Sequence, residues 1–221
     1  MQNKLVKVCC ITSLKEAELA LELGADYLGF VSEMPSGPGV ISLDNIAKIV
    51  SSLPEKTKTI TLTSKVDSKA VFQQYKVTKT WGLQLVDKLP EGELLELKRM
   101  LPGVHLTQVV HVQNRYSIEE ALAYVNLVDM LILDSGNPKA KLKTLGGTGT
   151  THDWDISKEI CAQSSTPVLL AGGLNPDNIQ SAFSRVLPSG VDVCSGVRKT
   201  GLLDRKLLED FMLQLDRKPI E

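Results

Sequence analysis

Short runs of apolar residues alternate along this chain with segments whose apolar residues recur every three or four positions, and the alternation never breaks. Residues 7–11 read as a buried strand. Ser13 and Glu16 form a Ser-x-x-Glu capping signal for a helix over 14–23, closed by Gly24. Further strands are predicted over 25–31, 59–64, 81–86, 104–112, 130–134, 167–171 and 191–193. Helices are predicted over 42–52, 67–77, 91–100, a segment capped by Ser117 with Glu120 three residues on, 154–163, a segment capped by Asn175 with Pro176 at its first position, and a final segment whose Leu208, Phe211, Met212 and Leu215 share one face.

Eight strand and helix pairs without a linker or a shift in composition imply one domain over residues 1–221. They favour a closed (β/α)8 TIM barrel over an open doubly wound sheet. Function in such a barrel sits at the C-terminal ends of the strands, which points to Cys9, residues 31–39, Ser64, Val86, Asp87, His111, Asp134, Gly172, Gly173, Ser195 and Gly196.

Composition narrows the partners. Among 221 residues, 25 Lys and Arg against 26 Asp and Glu leave a net charge of -1, too little to recruit nucleic acid or an anionic membrane, so an anionic ligand must be held locally. No apolar stretch is long enough to span a bilayer and no signal-like core opens the chain, so cytoplasmic residence is expected. Four cysteines, Cys9, Cys10, Cys161 and Cys194, read as reduced thiols in a chain of this size, with vicinal Cys9 and Cys10 expected on opposite faces of the first strand.

Two strand ends carry groups suited to proton transfer. Met130, Ile132 and Asp134 share a face, so an inward Asp134 would be a carboxyl above an apolar interior, where burial favours the protonated acid. Cys9 ends the first strand, three steps around the ring from the sixth. The plainer readings are that Cys9 is a small buried hydrophobe and Asp134 a turn or cap residue. Gly172 and Gly173, with Ser195 and Gly196, lie where such barrels hold phosphate on backbone N–H groups, although the same glycines could serve tight turns alone. His105 reads as a barrel-wall residue, His152 as a capping or solvent-facing loop residue, and Trp81 and Trp154 as packing.

Six segments together resemble the phosphoribosylanthranilate isomerase family of tryptophan biosynthesis. They are Lys7-Val8-Cys9-Cys10-Ile11-Thr12, Gly24-Ala25-Asp26-Tyr27-Leu28-Gly29-Phe30, Leu131-Ile132-Leu133-Asp134-Ser135, Gly146-Gly147-Thr148-Gly149 with Asp153-Trp154, Leu170-Ala171-Gly172-Gly173-Leu174-Asn175-Pro176, and Val191-Asp192-Val193-Cys194-Ser195-Gly196-Val197. The resemblance runs the length of the chain. It implies an Amadori rearrangement of N-(5-phosphoribosyl)anthranilate to an aminoketose without metal or organic cofactor. Asp134 would be the general acid and Cys9 the general base, kept partly as thiolate by Lys7 or by the field of the bound state. Gly172, Gly173, Ser195, Gly196 and Val197 would hold the phosphate, with Lys7, His111, Gly147 and Asp192 as further substrate contacts.

The chain departs from the family pattern at particular places. Gly37-Pro38-Gly39 stands where the family has a Ser-Pro-Arg whose Arg meets the anthranilate carboxylate, Val86-Asp87 replaces a His-Gly, and basic residues thin out around residues 108–112. Cys10 replaces a glycine, and Cys194 a serine. An Arg restored at Gly39 is therefore expected to tighten a carboxylate-bearing substrate. The readings carried forward are an isomerase of this family whose carboxylate anchor has moved, for instance to His111 or Arg115, a related isomerase for another phosphorylated aminosugar, and a non-catalytic sugar-phosphate-binding barrel.

Overall fold

The computed structural model describes residues 4–35, 37–136 and 151–217. Eight strands, β1 (Leu5–Val8), β2 (Tyr27–Val31), β3 (Thr59–Thr63), β4 (Gly82–Leu85), β5 (His105–His111), β6 (Met130–Asp134), β7 (Val168–Leu170) and β8 (Gly190–Val193), pair in parallel and in chain order. β8 returns to β1 with Lys7 opposite Asp192, so the sheet closes. The strands alternate with α1 (Leu14–Glu22), α2 (Leu43–Ser52), α3 (Ser68–Thr78), α4 (Glu93–Met100), α5 (Tyr116–Tyr124), α6 (Trp154–Gln163), α7 (Ile179–Val186) and α8 (Arg205–Gln214). A one-turn 3-10 helix (Ser195–Val197) and a hairpin of β9 (Arg198–Lys199) and β10 (Leu202–Leu203) lie between β8 and α8. The (β/α)8 expectation is met.

Period-two strands inside period-3.6 helices produce two apolar layers. Val6, Leu28, Leu131 and Val191 face outward onto helix residues such as Ala17, Ile46, Ala182 and Phe211. Ile60, Leu62, Val109, Met130, Ile132 and Leu169 point inward and fill the barrel beneath the mouth. Helix starts follow the expected polar caps in most places. The Ser13 hydroxyl accepts from Glu16 N at 3.2 Å, Ser42 from Asn45 N at 3.2 Å and Asp67 from Ala70 N at 2.8 Å.

Two helix starts differ from expectation. Ser117 lies inside α5, where its hydroxyl accepts from Gln113 N and contacts the His111 carbonyl, so it ties β5 to the helix instead of capping it. Helix α7 begins only at Ile179, because the Asn175 side chain accepts from both Asp177 N and Asn178 N and holds residues 175–178 in a turn first.

Closure leaves little room where β8 meets β1. A Cβ on Gly190 would overlap the Leu5 carbonyl oxygen and lie 2.6 Å from Leu5 Cβ. Gly190→Ala should therefore destabilise the fold by roughly 1–3 kcal/mol, the usual cost of overpacking. Urea unfolding measures it, and an unchanged midpoint would mean that the seam is looser than this geometry.

Candidate active site

The mouth of the barrel holds a narrow cleft of about 60 Å3 that opens to solvent. It is lined by ends of strands distant in sequence: Cys9 and Cys10 after β1, Gln84 on β4, Asp134 on β6, Gly172 and Gly173 after β7, and Asp192, Cys194 and Ser195 at β8. Cys9 and Asp134 thus share one cavity, as their topology predicts.

Beneath the thiol lies a charge pair. Lys7 has no exposed surface, and its Nζ lies 2.9 Å from Asp192 Oδ1. Burial alone would favour neutral Lys7, but Asp192 and the Cys9 sulfur more than reverse this and keep it protonated. Burial pushes the Asp192 carboxyl upward, against the pull of Lys7, and the nearby charge of Asp134 adds to the rise. Room for this group comes from Gly29 on β2, where a Cβ would stand 2.9 Å from both Lys7 Nζ and Cys9 Sγ.

The thiols are arranged otherwise than a regular strand would place them. β1 stops at Val8, although Cys9 N still donates to Val193 O at 2.8 Å. Cys10 then adopts φ 62°, the left-handed region. That turn brings its side chain into the same cleft as Cys9 instead of onto the opposite face, which corrects the expectation from strand alternation. Cys194 Sγ lies 2.6 Å from Cys10 Sγ. A hydrogen bond from Cys10 is the largest influence on Cys9 and lowers its pKa; burial opposes this, and Lys7 adds to the lowering. Lys7 therefore assists Cys9, but the foremost partner is the neighbouring cysteine.

Asp134 is partly exposed and accepts from Ser135 N at 2.6 Å through Oδ1. Gly172, with φ 81°, allows this approach: a Cβ there would stand 2.9 Å from both Ser135 N and Ser135 Oγ. Gly173 and Ser195 line the cleft beside it. Asn178 donates to the Gly173 carbonyl at 2.9 Å and fixes that loop. Gly196 packs against Leu174 and Asn175, and Val197 is fully buried behind it, so these two support the loop wall and do not line the cleft. Gly147, with the rest of residues 137–150, lies outside the described residues.

Neither proposed carboxylate anchor reaches the cleft. His111 is buried opposite Asp134 in the β5–β6 register, with its Nε2 at 3.0 Å from the Val86 carbonyl. Arg115 is exposed and makes two bonds, 2.9 and 3.1 Å, to Glu159. Among the described residues that line the cleft, none is cationic. Residue 39 is also constrained, since Gly39 has φ 74° and a Cβ there would lie 2.7 Å from Cys10 Cβ. A lone Arg at this position would collide with Cys10, which overturns the expectation that it simply restores an anchor.

Two features escaped the sequence reading. The buried Arg198–Glu16 pair, 2.9 Å, ties the loops after β1 and β8, with Arg198 also donating to the Cys9 and Cys10 carbonyls at 3.1 and 2.6 Å. Long separation in sequence hid it, and only the capping role of Glu16 was legible. His152 bonds Ser157 Oγ at 2.7 Å; burial lowers its pKa, opposed by Asp134 and Asp153, so it belongs to the wall behind Asp134 and not to solvent.

These features define a (β/α)8-barrel enzyme site built around side chains at its C-terminal mouth. A family model described as N-(5'phosphoribosyl)anthranilate (PRA) isomerase matches residues 6–214. The isomerase of that name from Methanocella arvoryzae is 32% identical over 95% of this chain and 97% of its own, and that of Trichormus variabilis 35% over 89% and 90%. Solved isomerase structures from Pyrococcus furiosus (27% identical, TM-score 0.80) and Thermotoga maritima (28%, 0.81) each cover 97% of this chain and 99% of their own. The chain belongs to the N-(5'-phosphoribosyl)anthranilate isomerase family, a family of enzymes.

Two predictions follow from the geometry. Gly39→Arg alone should cost roughly 1–3 kcal/mol through crowding and the left-handed backbone, and Cys10→Gly in the same chain should recover part of it; strictly additive changes in urea unfolding would refute the coupling. Burial alone would raise the Glu16 carboxyl, but the Leu203 and Thr12 N–H groups and Arg198 hold it below the usual range. Its contribution to stability is complete above the ordinary Glu pKa of about 4.3 and is lost as pH falls through the lowered value. Glu16→Gln should accordingly flatten the acid limb of stability against pH, and an unchanged limb would exclude this role.

Proposed function

We propose that this protein catalyses the Amadori rearrangement of N-(5-phosphoribosyl)anthranilate in tryptophan biosynthesis, with Asp134 as general acid and Cys9 as general base. The observation that supports it most is that these two side chains, from strands three steps apart, line one cleft. Asp134 gives its proton to the furanose ring oxygen as the C1–O bond breaks, leaving an iminium at C1. The iminium acidifies C2–H, the Cys9 thiolate takes that proton, and the resulting enolamine collapses to the aminoketose. A thiolate is available because Cys10 and Lys7 favour it. Gly172, Gly173 and Ser195 offer backbone N–H groups for the phosphate, with Gly196 and Val197 shaping that wall. Asp192 lines the same cleft, and the fully buried Lys7, paired with it, supports the site from beneath.

The described cleft residues all come from strand ends of a single barrel, which supports taking residues 1–221 as one unit. No described helix is long and apolar enough to cross a membrane. Four free thiols favour a reducing cytoplasmic setting. A second reading, the same isomerisation on a phosphorylated aminosugar without a carboxylate, is favoured by the lack of a cation among the described lining residues.

Turnover of N-(5-phosphoribosyl)anthranilate, compared with an analogue lacking the carboxylate, tests both readings, and failure on the first while the second reacts would transfer the assignment. Cys9→Ser and Asp134→Asn should each lower kcat/KM by roughly 100- to 10,000-fold while inorganic phosphate still binds. Near-normal turnover in either variant would remove that residue from the mechanism. Because Cys9 acts as thiolate, kcat/KM should rise with pH through a midpoint below the ordinary thiol value of about 8.5. A midpoint at or above it would exclude an activated Cys9.

A further inference from the structure

Three thiols, Cys9, Cys10 and Cys194, line one wall of the cleft, but the proposed reaction uses a proton on only one of them. Cys194 Sγ and Cys10 Sγ, both free thiols, lie 2.6 Å apart, closer than non-bonded sulfurs normally pack but beyond the bond length of about 2.05 Å. Their backbones are already held together without a covalent link. Cys9 N donates to Val193 O across the β1–β8 seam, and Arg198, which follows the 3-10 turn after Cys194, donates to both the Cys9 and Cys10 carbonyls. Gly39 supplies the space, because any side chain there would displace Cys10. The two sulfurs are therefore brought together by contacts that do not depend on a bond between them.

We propose that Cys10 and Cys194 form a reversible disulfide at the mouth of the barrel, made by exchange with a low-molecular-weight disulfide, and that this bond switches off the adjacent Cys9. The second half rests on the reading of Cys9 as the base. Cys194 is the more exposed of the two and meets the incoming disulfide first. Its thiolate attacks R–S–S–R, one R–S⁻ leaves and is protonated, and a mixed disulfide forms on Cys194. Cys10 then attacks the Cys194 sulfur, passes its proton to the Cys9 thiolate and expels the second R–S⁻, which takes a proton from water. Two protein thiols are oxidised to one disulfide and R–S–S–R is reduced to two R–SH. The product has lost the Cys10 S–H that donates to Cys9, and Cys9 itself holds the transferred proton. Lys7 remains beside it, paired with Asp192 as in the reduced protein, so what oxidation removes is the contribution of Cys10.

The test exposes the full-length protein to oxidised glutathione in a buffered series with reduced glutathione, without substrate. Intact mass should fall by two hydrogen atoms, two of the four thiols should stop reacting with a thiol reagent, and non-reducing digestion should yield a peptide linking Cys10 to Cys194. Alkylation of Cys9 by iodoacetamide at neutral pH should slow by roughly tenfold or more in the oxidised form, as expected for loss of thiolate. Turnover should fall by roughly 100-fold, the scale of a lost general base, and return with dithiothreitol. Cys194→Ser should form no such link and should keep its own reduced-state turnover across the series, whereas Cys10→Ser should form no such link and should instead gain the mass of one glutathione on Cys194. The proposal is overturned if no Cys10–Cys194 peptide forms, if a Cys9 bridge forms instead, if the cross-linked protein alkylates and turns over like the reduced one, or if Cys194→Ser is inactivated as the parent is. Mass and alkylation need no substrate, so a reduced protein that fails to turn over would count against the proposed function while leaving the disulfide to be judged on its own.

Discussion

A protonated lysine with no exposed surface is the constraint around which the mouth of this barrel is organised. Lys7 must be paired, because an ammonium removed from water without a partner costs several kcal/mol. Its partner, Asp192, comes from the strand that closes the barrel, in register with it. The pair therefore forms only when the eighth strand reaches the first. Buried ion pairs are often replaceable by apolar residues of similar volume without loss of stability, so burial of these charges is weak evidence of a stabilising role. Their position accounts for them: the ammonium lies against the Cys9 sulfur, and the carboxylate lines the cleft.

A second buried pair holds the layer above. Arg198 and Glu16 join the loop after β8 to the start of α1, and the same guanidinium draws in the carbonyls of Cys9 and Cys10. Glu16 also accepts from Thr12 N and Leu203 N, so one carboxylate fastens three separate segments. With both seams held, the positions of the thiols follow. Cys10 occupies a left-handed backbone position that glycine would adopt without cost, and its Cβ fills the volume that a side chain at residue 39 would need. Residues 10 and 39 are thus coupled by packing, each limiting what the other can be.

Much of the architecture was legible because the hydrophobic period reports directly on which side of an element faces the core. Seven of the eight strands appeared within two residues of their expected bounds, while β1 ends at Val8, three residues early, and Leu208, Phe211 and Met212 of α8 are buried as their spacing required. The errors were local and have polar causes. Ser117 and Asn175 are residue types that cap helices, but each had nearer backbone groups to bond, Gln113 N in one case and Asp177 N and Asn178 N in the other.

From residue order alone came the alternation of strand and helix, the implied closed barrel, and Cys9 and Asp134 as groups at its working end. Those properties depend on neighbours in the chain and on which strand follows which. Tertiary structure decided what surrounds them: that Asp192 lies against Lys7, that Cys10 swings in beside Cys9 and meets Cys194, and that His111 and Arg115 are turned to Val86 and Glu159. These contacts join residues up to 185 positions apart, or hinge on one backbone torsion of the opposite sign, and neither quantity is carried by a pattern of hydrophobic and polar residues.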